Sequence, residues 1–299
     1  MKPTVAVAGA TGKLGGRIVT ALLDRGADVR ALARTTSAGD KVARLEQRGV
    51  EVRRVDLADV RAVAAACQGA ACVVSALLGL RAVLVDAQSS LLEGAIAAGV
   101  PRFIPSDYAI DFSKLRPGEN RNLDLHREFF DRLRGKPIVA TSVLNGAFAE
   151  TLTYGTPLLD RKGKRVTYWG DAEQPMDFTT MDDTARFTAA AALDASAPQK
   201  LCISGDRLSA RDLAGIAGEV DQAPYELTRG GDLDDLAAAI KRERAASPDD
   251  ENQPFPRWQG LQYLHNMFGG QALLEPLSND RYPDLTWTSV RTLLAAPRR

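Results

Sequence analysis

Val5-Ala6-Val7-Ala8-Gly9-Ala10-Thr11-Gly12-Lys13-Leu14-Gly15-Gly16 is the stretch whose reading decides the fold. A short apolar run of strand length ends at Gly9, and Ile18, Val19, Leu22 and Leu23 then recur at helical spacing. Glycines at such a turn adopt backbone conformations closed to other residues and let a phosphate come close. The helix that follows offers unpaired N–H groups and the positive end of its dipole, which suits a pyrophosphate. The segment reads as the first strand–turn–helix of a dinucleotide-binding domain. Its glycines fall as G-x-x-G-x-x-G rather than the general G-x-G-x-x-G, with Thr11 inside the loop. Gly9, Thr11, Gly12, Lys13 and Leu14 are therefore the expected pyrophosphate-side residues.

Strand and helix patterns alternate downstream. Strands are expected at Asp28–Ala33, Glu51–Val55, Ala71–Ser75, Arg102–Pro105 and Ile138–Val143. Helices are expected at Asp40–Arg48, Val60–Cys67, Val83–Ala98 and Leu123–Leu133. This rhythm predicts an α/β fold of Rossmann type, a doubly wound parallel sheet. Near residue 150 the rhythm changes, and eleven of the fifteen prolines lie beyond residue 135. Residues 1–150 are read as a coenzyme domain, and 151–299 as a smaller C-terminal substrate lobe interleaved with it. In that lobe a strand is expected at Arg165–Trp169, and helices at Met181–Leu193, Ser209–Val220, Asp232–Arg244 and Thr286–Ala295. Ala246–Pro256 reads as a long surface loop or a lid.

Composition narrows the function. Lys plus Arg and Asp plus Glu number 38 each, so no net field favours nucleic acid or an anionic membrane. No apolar run reaches spanning length and no charged-then-apolar leader precedes the first strand, so no membrane association is expected. The three cysteines, Cys67, Cys72 and Cys202, lack metal-type spacing, and only His126 and His265 are present. No metal site is expected, and the setting implied is a reducing cytoplasm.

Several residues fall where coenzyme contacts belong. Arg34 ends the second strand, where an NAD site places an acid on the ribose hydroxyls; an arginine there pairs with the 2′-phosphate of NADP. Thr35, Thr36, Ser37 and Lys41 add donors nearby, so NADP(H) is favoured over NAD(H). Asp56-Leu57 follows the third strand, with Asp56 placed to accept from an adenine amino group and Leu57 to pack on the ring; an Asp there is equally a cap for the next helix. Ser75-Ala76-Leu77 lies at the carboxyl edge of the fourth strand, where open α/β sheets bind ligands. Asn145, Gly146 and Phe148 follow the sixth strand and would set backbone groups and an aromatic face against a nicotinamide. Trp169, Trp258, Tyr263, His265, Met267 and Phe268 form either plain core or walls for a flat substrate.

Phe103-Ile104-Pro105-Ser106-Asp107, the Asn145-Gly146-Ala147-Phe148 turn and the closing Asn279-Asp280-Arg281-Tyr282-Pro283 run resemble, with the glycine turn, the NmrA-like and isoflavone-reductase-like atypical short-chain dehydrogenases. That resemblance implies an NAD(P)H-dependent oxidoreductase reducing a small aromatic or conjugated carbonyl or enone. It also implies a lysine on the helix after strand five, at the nicotinamide ribose; His126 stands at the matching place. A histidine there remains capable of donating a proton near neutrality. It can equally be a helix histidine packed beside Leu123 and Phe130. The short-chain pair of a tyrosine and a lysine four residues on is absent: Tyr108, Tyr154, Tyr225 and Tyr263 are followed by Phe112, Leu158, Arg229 and Met267. Tyr108 is a possible substrate contact. The alternative is a non-catalytic NAD(P)-binding regulator of the NmrA type, with a protein partner in place of a substrate.

Overall fold

The computed structural model describes residues 2–154 and 156–297. Its first half is the expected alternation: β1 (Thr4–Ala8), α1 (Lys13–Asp24), β2 (Asp28–Ala33), α2 (Gly39–Glu46), β3 (Glu51–Arg54), α3 (Val60–Cys67) and β4 (Cys72–Ser75), then α4 (Gln88–Ala97), β5 (Arg102–Ile104), α5 (Arg121–Leu133) and β6 (Val139–Ala140). Six parallel strands run in the order β3-β2-β1-β4-β5-β6, a doubly wound sheet whose order reverses beside β1. Side chains alternate across it as a pleat demands. Val5 and Val7 enter the core under α1, whereas Ala6 and Ala8 enter the core under α3 and α4. Helices thus cover both faces, and the strand ends at Gly9, Ser75 and Ser106 open on one edge.

Two expected elements differ in detail. The helix expected over Val83–Ala98 begins as a π-helical turn, Ala82–Ala87, before α4 takes over. The strand expected over Ile138–Val143 is interrupted at Thr141. Its first part is β6, paired to β5; its second is β7 (Ser142–Leu144), paired to β12 (Lys200–Cys202). The Thr141 amide still donates to Phe103 O at 3.0 Å, while the Ser142 amide donates to Gln199 O at 2.8 Å. One strand therefore changes neighbours in the middle, and this sets the direction of Ser142.

Beyond residue 146 come β8 (Ala147–Phe148), β9 (Leu159–Asp160), β10 (Arg165–Tyr168), β11 (Met176–Thr179), α6 (Met181–Leu193), β13 (Asp206–Leu208), α7 (Ala210–Asp221), β14 (Glu226–Arg229), α8 (Leu233–Ala246), α9 (Arg257–Phe268) and α10 (Val290–Ala295). They make two three-stranded sheets, β14-β10-β9 and β13-β11-β8. Ser209 caps α7 through a reciprocal box with Asp212, as a serine ahead of the helix predicts. α6 returns to the first sheet and packs on α1.

The stretch expected as a surface loop or lid, 246–256, is instead tied down. A 3-10 turn spans Pro248–Asn252, and Arg121 donates to the carbonyls of Glu251, Gln253 and Pro254 at 2.9–3.0 Å. The Arg121 and Arg244 guanidinia both lie over the buried ring of Trp258, 4.6 and 4.5 Å from its centroid. The closing helix is shorter than expected, since only Val290–Ala295 is helical.

Candidate active site

The turn after β1 explains its glycines. Gly9 has φ +82, and a Cβ there would run into the Ala76 carbonyl; a Cβ on Gly15 would strike the Gly9 carbonyl. The first glycine lets the turn touch the end of β4, and the second lets α1 lie against the turn. The Gly12 amide closes onto Gly9 O at 2.9 Å. No side chain caps α1, so its first amides face outward unpaired, the arrangement that receives an anion. Thr11 is half-buried, Gly12 and Lys13 are exposed, and Leu14 packs on the core beneath. The Lys13 ammonium sits 5.2 Å from the Tyr154 ring centroid.

Arg34 is exposed at the end of β2, and among the described residues its side chain makes no hydrogen bond or ion pair. The loop beyond it is held by another arginine: Arg54 Nη1 donates to the carbonyls of Thr35 and Ser37 at 3.2 and 3.3 Å. Past β3, Asp59 caps α3 through the amides of Arg61 and Ala62. Asp56 is exposed and accepts only the Ala58 amide, at 3.0 Å. Leu57 is buried beside Val55 and Val63.

The strand ends gather polar atoms that are sealed from solvent without partners. Ser75 and Asn145 are fully buried, and neither the Ser75 hydroxyl nor either terminal atom of the Asn145 amide finds a partner. The backbone beside them is well fixed. Ala76 N donates to Ala8 O, Leu77 O accepts from Ser106 Oγ at 2.7 Å, and both Asn145 N and Gly146 N donate to Ala109 O. Gly146 has φ +69 and packs on the Asp177 carbonyl, where a side chain would collide. Phe148 is half-buried on β8. A buried polar group left unpaired costs about 1–3 kcal/mol. Several of them at one strand edge form a costly defect unless a ligand completes them.

His126 belongs to the same group. It is 7% exposed on α5, its ring stacks on Phe112 with centroids 5.8 Å apart, and its Nδ1 is sealed without a partner. Nδ1 lies 3.6 Å from Oδ1 of the fully buried Asp107, which is also unpartnered. Asp107 Oδ2 accepts from Ser142 Oγ at 2.7 Å. Asp107 and Ser142 carried no role in the reading of the sequence. Their signal was an aspartate directly after an apolar strand end, in the Pro105-Ser106-Asp107 run. Tyr108, read as a possible substrate contact, turns away: its hydroxyl is sealed in the core between sheet and α6, and burial drives the phenol far above its ordinary pKa. Burial likewise pushes Cys67 up to about 11 and Cys72 up to about 12, so neither thiol offers a thiolate near neutrality. Glu150, two residues past Phe148, is also pushed up by burial.

No group of metal-ligating side chains occurs among the described residues. A cleft of about 490 Å³ lies apart in the smaller lobe, lined by Trp169, Asp235, Arg242, Glu243, Arg257 and Leu261, and shares no residue with these strand ends. Nearer to them, a cavity of about 10 Å³ among Ile110, Met176, Met267, Ala272 and Leu273 includes Asp177, whose carbonyl meets Gly146.

The NmrA-like family model matches residues 1–230. The chain belongs to that family. Among curated proteins it is similar to pinoresinol reductase 2 of Arabidopsis thaliana, 30% identical over 203 residues, or 63% of this chain and 64% of the relative. It is also similar to oxidoreductase BOA1 of Botryotinia fuckeliana (strain B05.10), 26% identical over 228 residues, or 72% and 75%. The chain spans just under two thirds of the length of the first three plant reductases it matches, 64%, 62% and 64%. Among solved structures, AtPrR2 with NADP+ and (+)pinoresinol has a TM-score of 0.83 at 23% identity, covering 99% of this chain and 98% of that one. The leucoanthocyanidin reductase–NADPH complex of Vitis vinifera has a TM-score of 0.78 at 21% identity, covering 97% and 98%. These likenesses establish the α/β Rossmann-type fold of this NmrA-like chain. Among the described residues no helix is long and apolar enough to cross a membrane.

Proposed function

We propose that this NmrA-like protein is an NADPH-dependent reductase of a small aromatic or conjugated carbonyl or enone. The observation that carries the reading is the pair of sealed, unpartnered polar side chains at the strand ends, Ser75 and Asn145, beside a glycine turn built for a phosphate. The residues fit the coenzyme. The Gly9–Gly15 turn and the open amides of α1, with Thr11, Gly12, Lys13 and Leu14, would hold the pyrophosphate. Arg34 would pair with the 2′-phosphate, and Asp56 and Leu57 would meet the adenine. Ser75, Ala76, Leu77, Asn145, Gly146 and Phe148 would border the nicotinamide and its ribose. When bound, NADPH supplies hydride chemistry.

The chain's own part is to exclude water, orient the substrate and deliver a proton. His126, as the imidazolium, gives its Nε2 proton to the substrate oxygen as charge develops there; the neutral ring that results keeps the proton on Nδ1, and Nε2 recovers one from solvent. Residues 1–150 carry the coenzyme, and 151–299 contribute the substrate lobe. The named relatives include pinoresinol reductases, which is consistent with an aromatic substrate. The three thiols are free and buried, in keeping with a reducing cytoplasm.

The test is a titration of the purified protein with NADPH and NADH. Incubation with aromatic aldehydes, quinones and enones follows, with the reduced-nicotinamide absorbance monitored. Tight NADPH binding with turnover on at least one substrate supports the reading. Tight binding with no turnover on any of them moves the assignment to a coenzyme-sensing regulator with a protein partner. No binding of either nucleotide removes both.

A further inference from the structure

The reading of His126 as proton donor leaves a difficulty that its surroundings resolve. A histidine in place of a lysine carries its proton on either of two nitrogens, and a ring free to choose between them would be misprotonated part of the time. Of the two, Nδ1 is sealed from solvent without a partner. Among the described residues, the one carboxylate oxygen paired with it by proximity is Asp107 Oδ1, 3.6 Å away. That separation is too long for a hydrogen bond as it stands, and bonds of this kind commonly tighten only when the reacting complex forms.

Asp107 is held from two sides. Ser142 Oγ donates to its other oxygen at 2.7 Å, and this serine points there because the strand switches from β5 to β12 at Thr141. The preceding residue is pinned as well: Ser106 N donates to Gln88 Oε1 at 2.9 Å, and Ser106 Oγ donates to Leu77 O. The ring is held by its stack on Phe112. Two fixed groups therefore face each other, each with one unmet valence in a fully buried setting, where an unpaired charge is expensive.

We propose that Asp107 is a positioning residue for His126. Its Oδ1 accepts a hydrogen bond from Nδ1–H, both in the imidazolium that donates and in the neutral ring that remains, so that Nε2 is the nitrogen that gives and regains the proton, while Ser142 keeps the carboxylate aimed. This rests on the reading of His126 as donor. Nothing is transferred between the two residues: Nδ1 keeps its proton throughout, and the proton that leaves does so from Nε2.

The chain has only two histidines, His126 and His265, which makes the tautomer directly measurable. Nitrogen-15 spectra of the imidazoles in uniformly labelled protein, assigned with His265→Gln, are expected to show the neutral form of the His126 ring protonated on Nδ1, not Nε2, in the presence of saturating NADPH. Asp107→Asn, close to isosteric, should move His126 toward the other tautomer. It should also lower kcat about tenfold to a hundredfold, the range for losing a group that orients a reactive ligand, with NADPH affinity and KM nearly unchanged. Ser142→Ala should act in the same direction and less strongly, and it serves if Asp107→Asn folds poorly. An unaltered His126 tautomer in both variants overturns the proposal. Loss of kcat in Asp107→Asn without a change of tautomer also overturns it, since that would mark a general structural role. If His126→Ala leaves kcat intact, the donor reading fails by itself, while the tautomer measurement still decides what Asp107 does.

Discussion

The start of α5 and its second turn are built from similar polar residues, and the molecule treats them in opposite ways. At the start, every polar side-chain group is engaged. Asn120 accepts from Leu123 N and Gln259 Nε2 and donates to Asn266, Arg121 reaches three carbonyls of the 251–254 segment, and Asn122 donates to Pro254 O. One turn later, His126 faces Asp107 with both facing atoms unpaired. Satisfied polar groups staple elements together; unsatisfied ones at a strand edge await something else. On α5 itself the engaged residues belong to the framework, although Trp258 Nε1 and Gln259 Oε1, packed beside them on α9, are also unpartnered.

The sharpest way to break this contrast is to truncate one residue from each turn. His126→Ala is expected to lower kcat at least a hundredfold, the usual scale for a lost general acid, out of proportion to the modest loss of stability from its buried stack on Phe112. Arg121→Ala is expected to do the reverse. It loses hydrogen bonds from a charged donor, worth about 1.5–3 kcal/mol, and should lower the unfolding free energy by about that amount in a denaturant titration while NADPH affinity holds. If Arg121→Ala abolished turnover and left stability alone, the division of α5 would be wrong. Arg34, exposed at the end of β2, is assigned to the site by its place in the fold. Arg34→Ala should weaken NADPH about tenfold to a hundredfold, the size of one or two charge-assisted hydrogen bonds, and barely affect NADH. Equal losses for both nucleotides would remove the 2′-phosphate assignment.

A smaller effect probes the framework far from the site. The Arg161 guanidinium, bonded to Asp221, holds that carboxyl well below the usual carboxylate range, with Lys164 and Tyr225 also donating to it. A depressed folded-state pKa contributes stability that is present above the unfolded value, about 3.9, and is lost as pH falls through the folded value. Asp221→Asn should therefore lower stability at pH 7 by about 1–2 kcal/mol. The gap to the wild type should close as pH drops below about 4. A gap independent of pH would show that packing, not charge, is at stake.

Much of the frame was legible in the chain because it rests on local rules. The β1 run, the glycines and the recurring apolar residues of α1 specify a turn that no other residues permit, as the Gly9 and Gly15 approaches show. The smaller lobe was less legible. Strands such as β8 and β9, of two residues each, are too short to show a period of two. In α9, the buried face includes Gln259, Gln262 and Asn266 beside Trp258 and Leu261, so the apolar stripe that marks a helix is broken by residues paired to the start of α5. The 246–256 stretch has the Pro, Asp and Asn content of a free loop, and the distant Arg121 and Asn122, with Arg244, make it a strap.

Local sequence determined the glycine turn, the alternation of strand and helix, and the exposed arginine where a strand ends, because steric permission and periodicity are properties of neighbouring residues. Tertiary structure alone decided which polar groups are left unpaired. Whether Asp107 meets His126, or Tyr108 turns into the core, depends on how β5, β7 and α5 converge. Hydrogen-bond satisfaction is a property of the groups that folding brings together, and the order of residues along the chain does not contain it.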